Sequence, residues 1–163
     1  MATKQEITEA IRAFVERSEK MASGFSPADW EKTIYEQGWT VKQAYCHLAA
    51  LGGAVPFFIS MATSPQPPAG GGGGGGGGFD IDAWNAQQVA ARQDKPVAEI
   101  LSELKVGYEN GIRAVAGLSE ELLAKQMDTP FGLSGSLGDL FVQTVTGHNQ
   151  IHLDDIERAL QRG

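Results

Sequence analysis

The chain has 163 residues, of which 42% are hydrophobic and 20% charged, with a net charge of -7 and a pI of about 4.9. These values predict one soluble globular domain over residues 1–163, and the negative charge disfavours nucleic acids and anionic membranes as partners. The single cysteine, Cys46, excludes an internal disulfide, and the polar N-terminal segment lacks an apolar signal-peptide core, so we expect a cytoplasmic location.

The first predicted element is a helix over residues 4–23. Ile7, Ile11 and Phe14 recur there at helical spacing and form one apolar face. A short helical segment follows, with Ser26 as its N-cap residue. The opening third of the chain is therefore predicted to be helical, with one long helix that covers part of a core.

The second long helix is predicted to begin after Thr40, a good N-cap residue. Apolar residues keep helical spacing as far as Ile59, but Gly52, Gly53 and Pro56 predict a kink or a loose final stretch. No uninterrupted apolar run reaches about 18 residues, so we expect no helix that spans a membrane.

The connection that follows is rich in proline and glycine. Residues 64–78 read SPQPPAGGGGGGGGG, which predicts a flexible loop. The run Gly70–Gly78 lacks the Lys-Ser or Lys-Thr ending of a phosphate-binding P-loop. The sequence leaves open whether so pure a run is native. A short helix over 79–91 is predicted next.

Two more long helices complete the chain. One has an apolar stripe from Val97 to Val115, and the last covers about residues 137–161. No segment alternates with a two-residue period, so the predicted class is all-α. Four long helices favour an antiparallel four-helix bundle, and the long connection between helices 2 and 3 allows them to pair in other than simple up-down order.

Two of the three histidines lie in the stretch GHNQIH, residues 147–152. On a helical wheel His148 and His152 fall within the apolar stripe of the last helix, together with Phe141 and Val145. Residues four apart have Cβ atoms about 5–6 Å apart, so two imidazoles at this spacing can bind one ion. If they are instead two core histidines, each polar edge needs a hydrogen-bond partner.

Two other residues have open interpretations. His47, on the second long helix, is either a third ligand or a partly buried structural histidine. Asp155 lies seven residues after His148 and close to the same stripe. It either orients an imidazole from outside the ligand set or is a solvated residue at the edge of the stripe.

Three segments resemble the DinB/YfiT-like superfamily. GWTVKQAYCHLA (38–49) is similar to its tryptophan- and histidine-containing segment, and GHNQIHLDDI (147–156) to its closing H-x3-H-x3-I helix. DIDAWNAQQVAARQDKPVAEILSELKVGY (80–108) resembles the middle of the mycothiol-dependent maleylpyruvate isomerase N-terminal domain. The resemblance covers nearly the whole chain apart from the glycine-rich loop.

The resemblance implies a four-helix bundle that binds a divalent metal, zinc first and nickel next. Its three ligands would correspond to His47, His148 and His152. The maleylpyruvate isomerase branch differs at His148, where it has a glutamate, and it carries a C-terminal domain that we do not expect in this protein. The three-histidine pattern looks more like the YfiT and general DinB branches.

The resemblance also implies partners. Some members are thiol S-transferases or isomerases that use mycothiol, bacillithiol or glutathione, and many form homodimers. The leading functional hypothesis is a metal-dependent thiol S-transferase acting on a small electrophile. The alternatives are a non-catalytic metal-binding module, for example in a stress response, and a metal-free interaction bundle.

Overall fold

The protein is described by a computed structural model that covers residues 2–34, 38–64, 80–129 and 132–161. Almost all of the predicted loop 64–78, including Gly70–Gly78, lies outside these residues. The helices in chain order are α1 (Lys4–Ser23), α2 (Pro27–Trp30), α3 (Val41–Ala50), α4 (Ala54–Thr63), α5 (Ile81–Ala90), α6 (Val97–Ala116), α7 (Glu120–Ala124), α8 (Leu137–Val142) and α9 (Asn149–Gln161).

The second long helix begins where its cap predicts. The Thr40 side chain accepts a hydrogen bond from the Gln43 backbone N–H, and the Gln43 side chain accepts one from the Thr40 N–H. These two bonds satisfy backbone donors that have no partner inside the helix. A 3-10 turn, Leu51–Gly53, then separates α3 from α4. The interruption predicted from Gly52, Gly53 and Pro56 is therefore found at the two glycines, as a 3-10 turn.

The four long helical units of the bundle are α1, α3–α4, α6 and α8–α9. Residue pairs show that α3–α4 and α6 run in the same direction, because Gly52 contacts Gly107 and Val55 contacts Gly111. The units α1 and α6 are antiparallel, since Phe14 packs on Tyr108 while Lys4 reaches Ala116. The four-helix bundle is confirmed, and the long second connection allows its two middle helices to be parallel.

The last helical unit lies between α1 and α3–α4. It is parallel to α1, since the Ala2 N–H donates to Asp139 and the Arg17 guanidinium contacts Asp154 at 2.7 Å. It is antiparallel to α3–α4, whose early part contacts α9 and whose later part contacts α8. This antiparallel pairing brings α3 to the same level of the bundle as the start of α9.

A two-stranded ribbon was missed by the sequence analysis. Strands β1 (Gln126–Asp128) and β2 (Ser134–Ser136) pair in antiparallel fashion over three residues each. Strands this short give too few positions for an alternating pattern to be recognised. The ribbon connects α7 to α8 and leaves the all-α class unchanged.

The stretch Val41–Thr63 is long and apolar enough, by length and composition, to cross a membrane. This finding differs from the prediction of no membrane-spanning helix, because polar residues interrupt the apolar run without lowering its mean hydropathy enough. Buried core helices pass the same test, and 44% of this stretch's most apolar window is buried inside the protein. Val41, Tyr45 and Leu48 belong to the core and are fully buried.

Candidate metal centre

The three histidines of the chain meet at one point between α3 and the last helical unit. The Nε2 atom of His148 lies 3.1 Å from the Nε2 atom of His47 and 3.1 Å from that of His152. His47 and His148 are 101 residues apart in sequence. A ligand-type atom from each ring lies within 4.8 Å of those from the other two. The fold thus unites the residues that the sequence analysis could only nominate.

Hydrogen bonding gives only a poor account of the two short contacts of His148. The Nε2 atom of a neutral imidazole carries either one hydrogen or one lone pair, so it takes part in one strong in-plane hydrogen bond. This atom has two ring nitrogens at 3.1 Å. The two contacts are therefore either the weaker arms of one bifurcated hydrogen bond, or one of them sets two lone pairs or two hydrogens against each other. A cation among the three nitrogens removes this conflict, because all three lone pairs then point at positive charge.

The spacing also suits a metal ion. Two nitrogens 3.1 Å apart, each about 2.1 Å from one ion, subtend an angle of about 95° at that ion. This angle lies between the octahedral and tetrahedral values. Three neutral imidazoles suit zinc, nickel, copper and iron, so the donor set fits a divalent metal without selecting one. A three-histidine set leaves further coordination positions for a water or a substrate.

The burial of the histidines differs from the prediction. His47 is 1% exposed, whereas His152 is partly buried and His148 is exposed. The helical wheel had placed His148 and His152 inside the apolar stripe. In the structure the fully buried positions of α9 are Asn149, Leu153 and Ile156, one position further along the chain than the wheel predicts. The site therefore has a buried side at α3 and an open side at α9.

A π turn causes this shift. Residues Gln143–His148 form a π helix between α8 and α9, and the Asn149 N–H donates to the Thr144 carbonyl five residues earlier. A π turn contains one residue more than an α turn, so every later side chain rotates relative to the wheel. Here the rotation moves the two histidines from the core to its edge, where a ligand can reach them.

Threonine side chains help to explain the π turn. The Thr144 hydroxyl donates to the Leu140 carbonyl at 2.8 Å, and the Thr146 hydroxyl donates to the Val142 carbonyl. Hydroxyls that bond to the carbonyl four residues earlier compete with the regular helix pattern. Gly147 lies in the same segment and removes side-chain constraints from it. This local chemistry is visible in the sequence, but the sequence analysis did not use it.

The electrostatics of the site keep the imidazoles neutral. Burial, followed by the nearby His152 and His148 rings, lowers the pKa of His47 to about 3. Burial and His148 lower the pKa of His152 to about 4, although Asp155 acts in the opposite direction. Burial also lowers the pKa of His148. Near neutral pH each ring thus has a free lone pair, which is the form that binds metals.

Two neighbours complete the site. The Trp39 ring lies 4.9 Å from the His47 ring and 6.1 Å from the His152 ring, centroid to centroid. Its position one residue before Thr40, the cap of the helix that carries His47, is the signal by which the sequence points to this tryptophan. Asp155 contacts Arg158 at 3.2 Å. Among the described residues no group hydrogen-bonds to the Nδ1 atoms of His47 or His152.

The sequence matches no family model and no curated protein. Among solved structures, YfiT from Bacillus subtilis superposes with a TM-score of 0.75 at 15% identity, over 98% of this chain and 86% of that one. An uncharacterised protein from Clostridium difficile 630 gives 0.69 at 12% identity, over 99% and 97%. The chain therefore shares its four-helix-bundle fold with YfiT. The resemblance seen in the sequence is confirmed at this level.

The mycothiol-dependent maleylpyruvate isomerase shares the fold as well. It superposes with a TM-score of 0.72 at 15% identity, over 94% of this chain. The match spans 60% of the isomerase, so the chain corresponds to part of that protein. YfiT is described as a probable metal-dependent hydrolase with an unusual four-helix bundle topology. At these identities the comparisons establish the fold, and the three-histidine cluster independently fits a divalent metal.

Proposed function

We propose that this protein binds one divalent cation through the Nε2 atoms of His47, His148 and His152, with zinc preferred and nickel next. The observation that carries the proposal is the convergence of three ring nitrogens, two of them 3.1 Å from the third, which a metal ion satisfies better than one bifurcated hydrogen bond. The depressed imidazole pKa values support it, because protons then compete weakly with a metal near neutral pH.

We further propose that the site is catalytic and transfers a low-molecular-weight thiol to a small electrophile. A divalent cation, when bound, would supply a Lewis acid that makes a coordinated thiol or water more acidic. The reaction forms a bond from the thiol sulfur to an electrophilic carbon. The thiol proton passes to solvent, and a leaving group departs or the adduct takes up a proton.

The residues around the site contribute to such a reaction by giving the substrate access to the metal from one side and by orienting it. His47 and the Trp39 ring close the inner side of the site, while His148 and Gly147 are exposed. A Cβ atom added at Gly147 would meet nothing within 4 Å, so a substrate can approach from this side. Mycothiol is the first thiol we propose, since a structural neighbour is a mycothiol-dependent isomerase, and the resemblance seen in the sequence adds bacillithiol and glutathione.

Metal content tests the first proposal. We expect about one zinc ion per chain in the loaded wild-type protein, measured by elemental analysis after removal of free metal. His47→Ala, His148→Ala and His152→Ala should each retain far less. Gln150→Ala, on the same helix but directed to Arg17, is the matched control and should retain wild-type zinc. A wild-type protein without zinc, or histidine variants with full zinc content, would refute the site.

Thiol consumption tests the second proposal. We expect the zinc-loaded protein to accelerate the loss of free thiol in the presence of a model electrophile, and His152→Ala to give only the uncatalysed rate. If zinc binds and none of the three thiols is consumed, the non-catalytic metal-binding module is the better description. Homodimer formation and a cytoplasmic location rest on the resemblance and the sequence, and they stay predictions.

A further inference from the structure

A buried polar bridge lies beneath the three histidines. The Tyr108 hydroxyl, on α6, donates to the Leu48 carbonyl at 3.3 Å, and the Asn149 side-chain amide donates to the same hydroxyl oxygen at 2.6 Å. Tyr108 is 1% exposed and Asn149 is fully buried. The bridge therefore links three helices inside the core, where hydrogen bonds are strong and water does not compete.

The bridge connects the two backbone segments that carry the candidate ligands. Leu48 directly follows His47, and Asn149 directly follows His148. The Asn149 backbone N–H also closes the π turn that ends at His148. The Tyr108 hydroxyl thus connects α3 to the start of α9. It does so next to the residues whose Nε2 atoms, in His47 and His148, are 3.1 Å apart.

Asn149 is a costly residue for this core position. Its side-chain oxygen is buried and has no hydrogen-bond partner among the residues that the structure describes. A buried carbonyl without a partner destabilises a fold, and an apolar residue of similar size would avoid that loss. The neighbouring buried positions on α9, Leu153 and Ile156, are indeed aliphatic. Stability alone does not explain an asparagine here.

We propose that Asn149 and Tyr108 are positioning residues that set the separation of His47 and His148. This inference rests on the proposed metal site. It adds that the buried bridge behind the histidines holds them at the spacing that a metal ion needs. Neither side chain touches the ion in this scheme. They act through the backbone of the adjacent residues, as partners outside the ligand set commonly do.

The test compares Asn149→Leu and Tyr108→Phe with wild type. For Asn149→Leu we expect the metal-free protein to melt at or above the wild-type temperature, while zinc affinity falls by about tenfold. The visible spectrum of bound cobalt(II), which reports ligand geometry, should also change. Tyr108→Phe keeps the ring contact with Phe14 at 4.8 Å and should weaken zinc binding in the same way.

Tyr45→Phe is the matched control. Tyr45 is a fully buried tyrosine of α3, and its hydroxyl donates to the Ser18 carbonyl at 2.8 Å. Its loss should lower the melting temperature without altering zinc affinity or the cobalt spectrum. If Tyr45→Phe weakens binding as much as Tyr108→Phe, general loosening of the core explains the effect and the inference is wrong. Wild-type affinity and spectrum in Asn149→Leu would also overturn it.

A readout without metal separates this inference from the metal site itself. A crystal structure of metal-free Asn149→Leu should show the Nε2 atoms of His47 and His148 further apart than 3.1 Å. An unchanged separation refutes the positioning role even if wild-type protein binds zinc. If the separation increases in the variant but the wild-type protein binds no metal, the positioning role of the bridge is supported. Only the proposed metal site is then refuted.

Discussion

Replacement of Gly107 by alanine tests how closely the second long helical unit must approach α6. A Cβ atom at this position would lie 3.1 Å from the Gly52 Cα and 3.4 Å from the Gly52 carbonyl carbon. Ordinary carbon contacts are about 3.5–4.0 Å. The obstructing atoms belong to the backbone, so no side-chain rotation can relieve the contact. The two helical units must move apart instead.

The expected loss is the balance of two effects. Alanine is favoured over glycine inside a helix by about 1 kcal/mol, whereas overpacking costs about 1–3 kcal/mol. We therefore expect Gly107→Ala to lower the free energy of unfolding by up to about 2 kcal/mol. Because Gly52 follows α3 closely, the same displacement should move His47 and weaken zinc binding.

Gly53→Ala is the matched control for this prediction. A Cβ atom at Gly53 would meet nothing within 4 Å, and the backbone there has φ -80° and ψ -5°, which alanine adopts readily. This variant should be neutral or stabilised by about 0.4–1 kcal/mol. Thermal unfolding followed by circular dichroism should separate the variants by about 4–8 °C. If Gly107→Ala melts at or above Gly53→Ala, the steric reasoning is wrong.

Three further predictions concern the site and its surroundings. Zinc at one hundred times its dissociation constant should raise the free energy of unfolding by about 2.7 kcal/mol. This rise should vanish in His47→Ala. A melting curve that does not change when a chelator is added would contradict metal binding. The pKa of His47 is about 3 in the folded protein, and its ordinary value is 6.5. Between pH 3 and pH 6.5, His47 therefore carries a proton in the unfolded chain and none in the folded protein. The metal-free protein should thus lose stability as pH falls from about 6.5 to 3, and His47→Leu should flatten that loss in denaturant titrations; equal slopes would refute it. Cys46 is fully buried, and burial raises its thiol pKa to about 11, so its reaction with a thiol reagent should be slow in the folded protein and fast in denaturant; equally fast reaction in both would contradict the burial.

The sequence by itself determined the helices and the candidate ligands. Helical spacing of apolar residues defined the long helices, and Thr40 marked the start of the helix that carries His47, because capping is a local interaction. Gly52 and Gly53 located the break after α3 for the same reason. Two histidines four residues apart on a helix nominated the metal site, since that spacing fixes their distance.

Only the tertiary structure decided how these parts combine. No local pattern specifies that α3 lies against α9, so the 3.1 Å approach of His47 to His148 could not be read from residues 101 positions apart. The burial of His148 was also predicted wrongly, since the wheel assumed 3.6 residues per turn throughout. One π turn broke that period, and its rotation of α9 placed Asn149 in the core and His148 at its exposed edge. A single extra residue changes every later side-chain direction, and helix-to-helix packing determines which direction is buried.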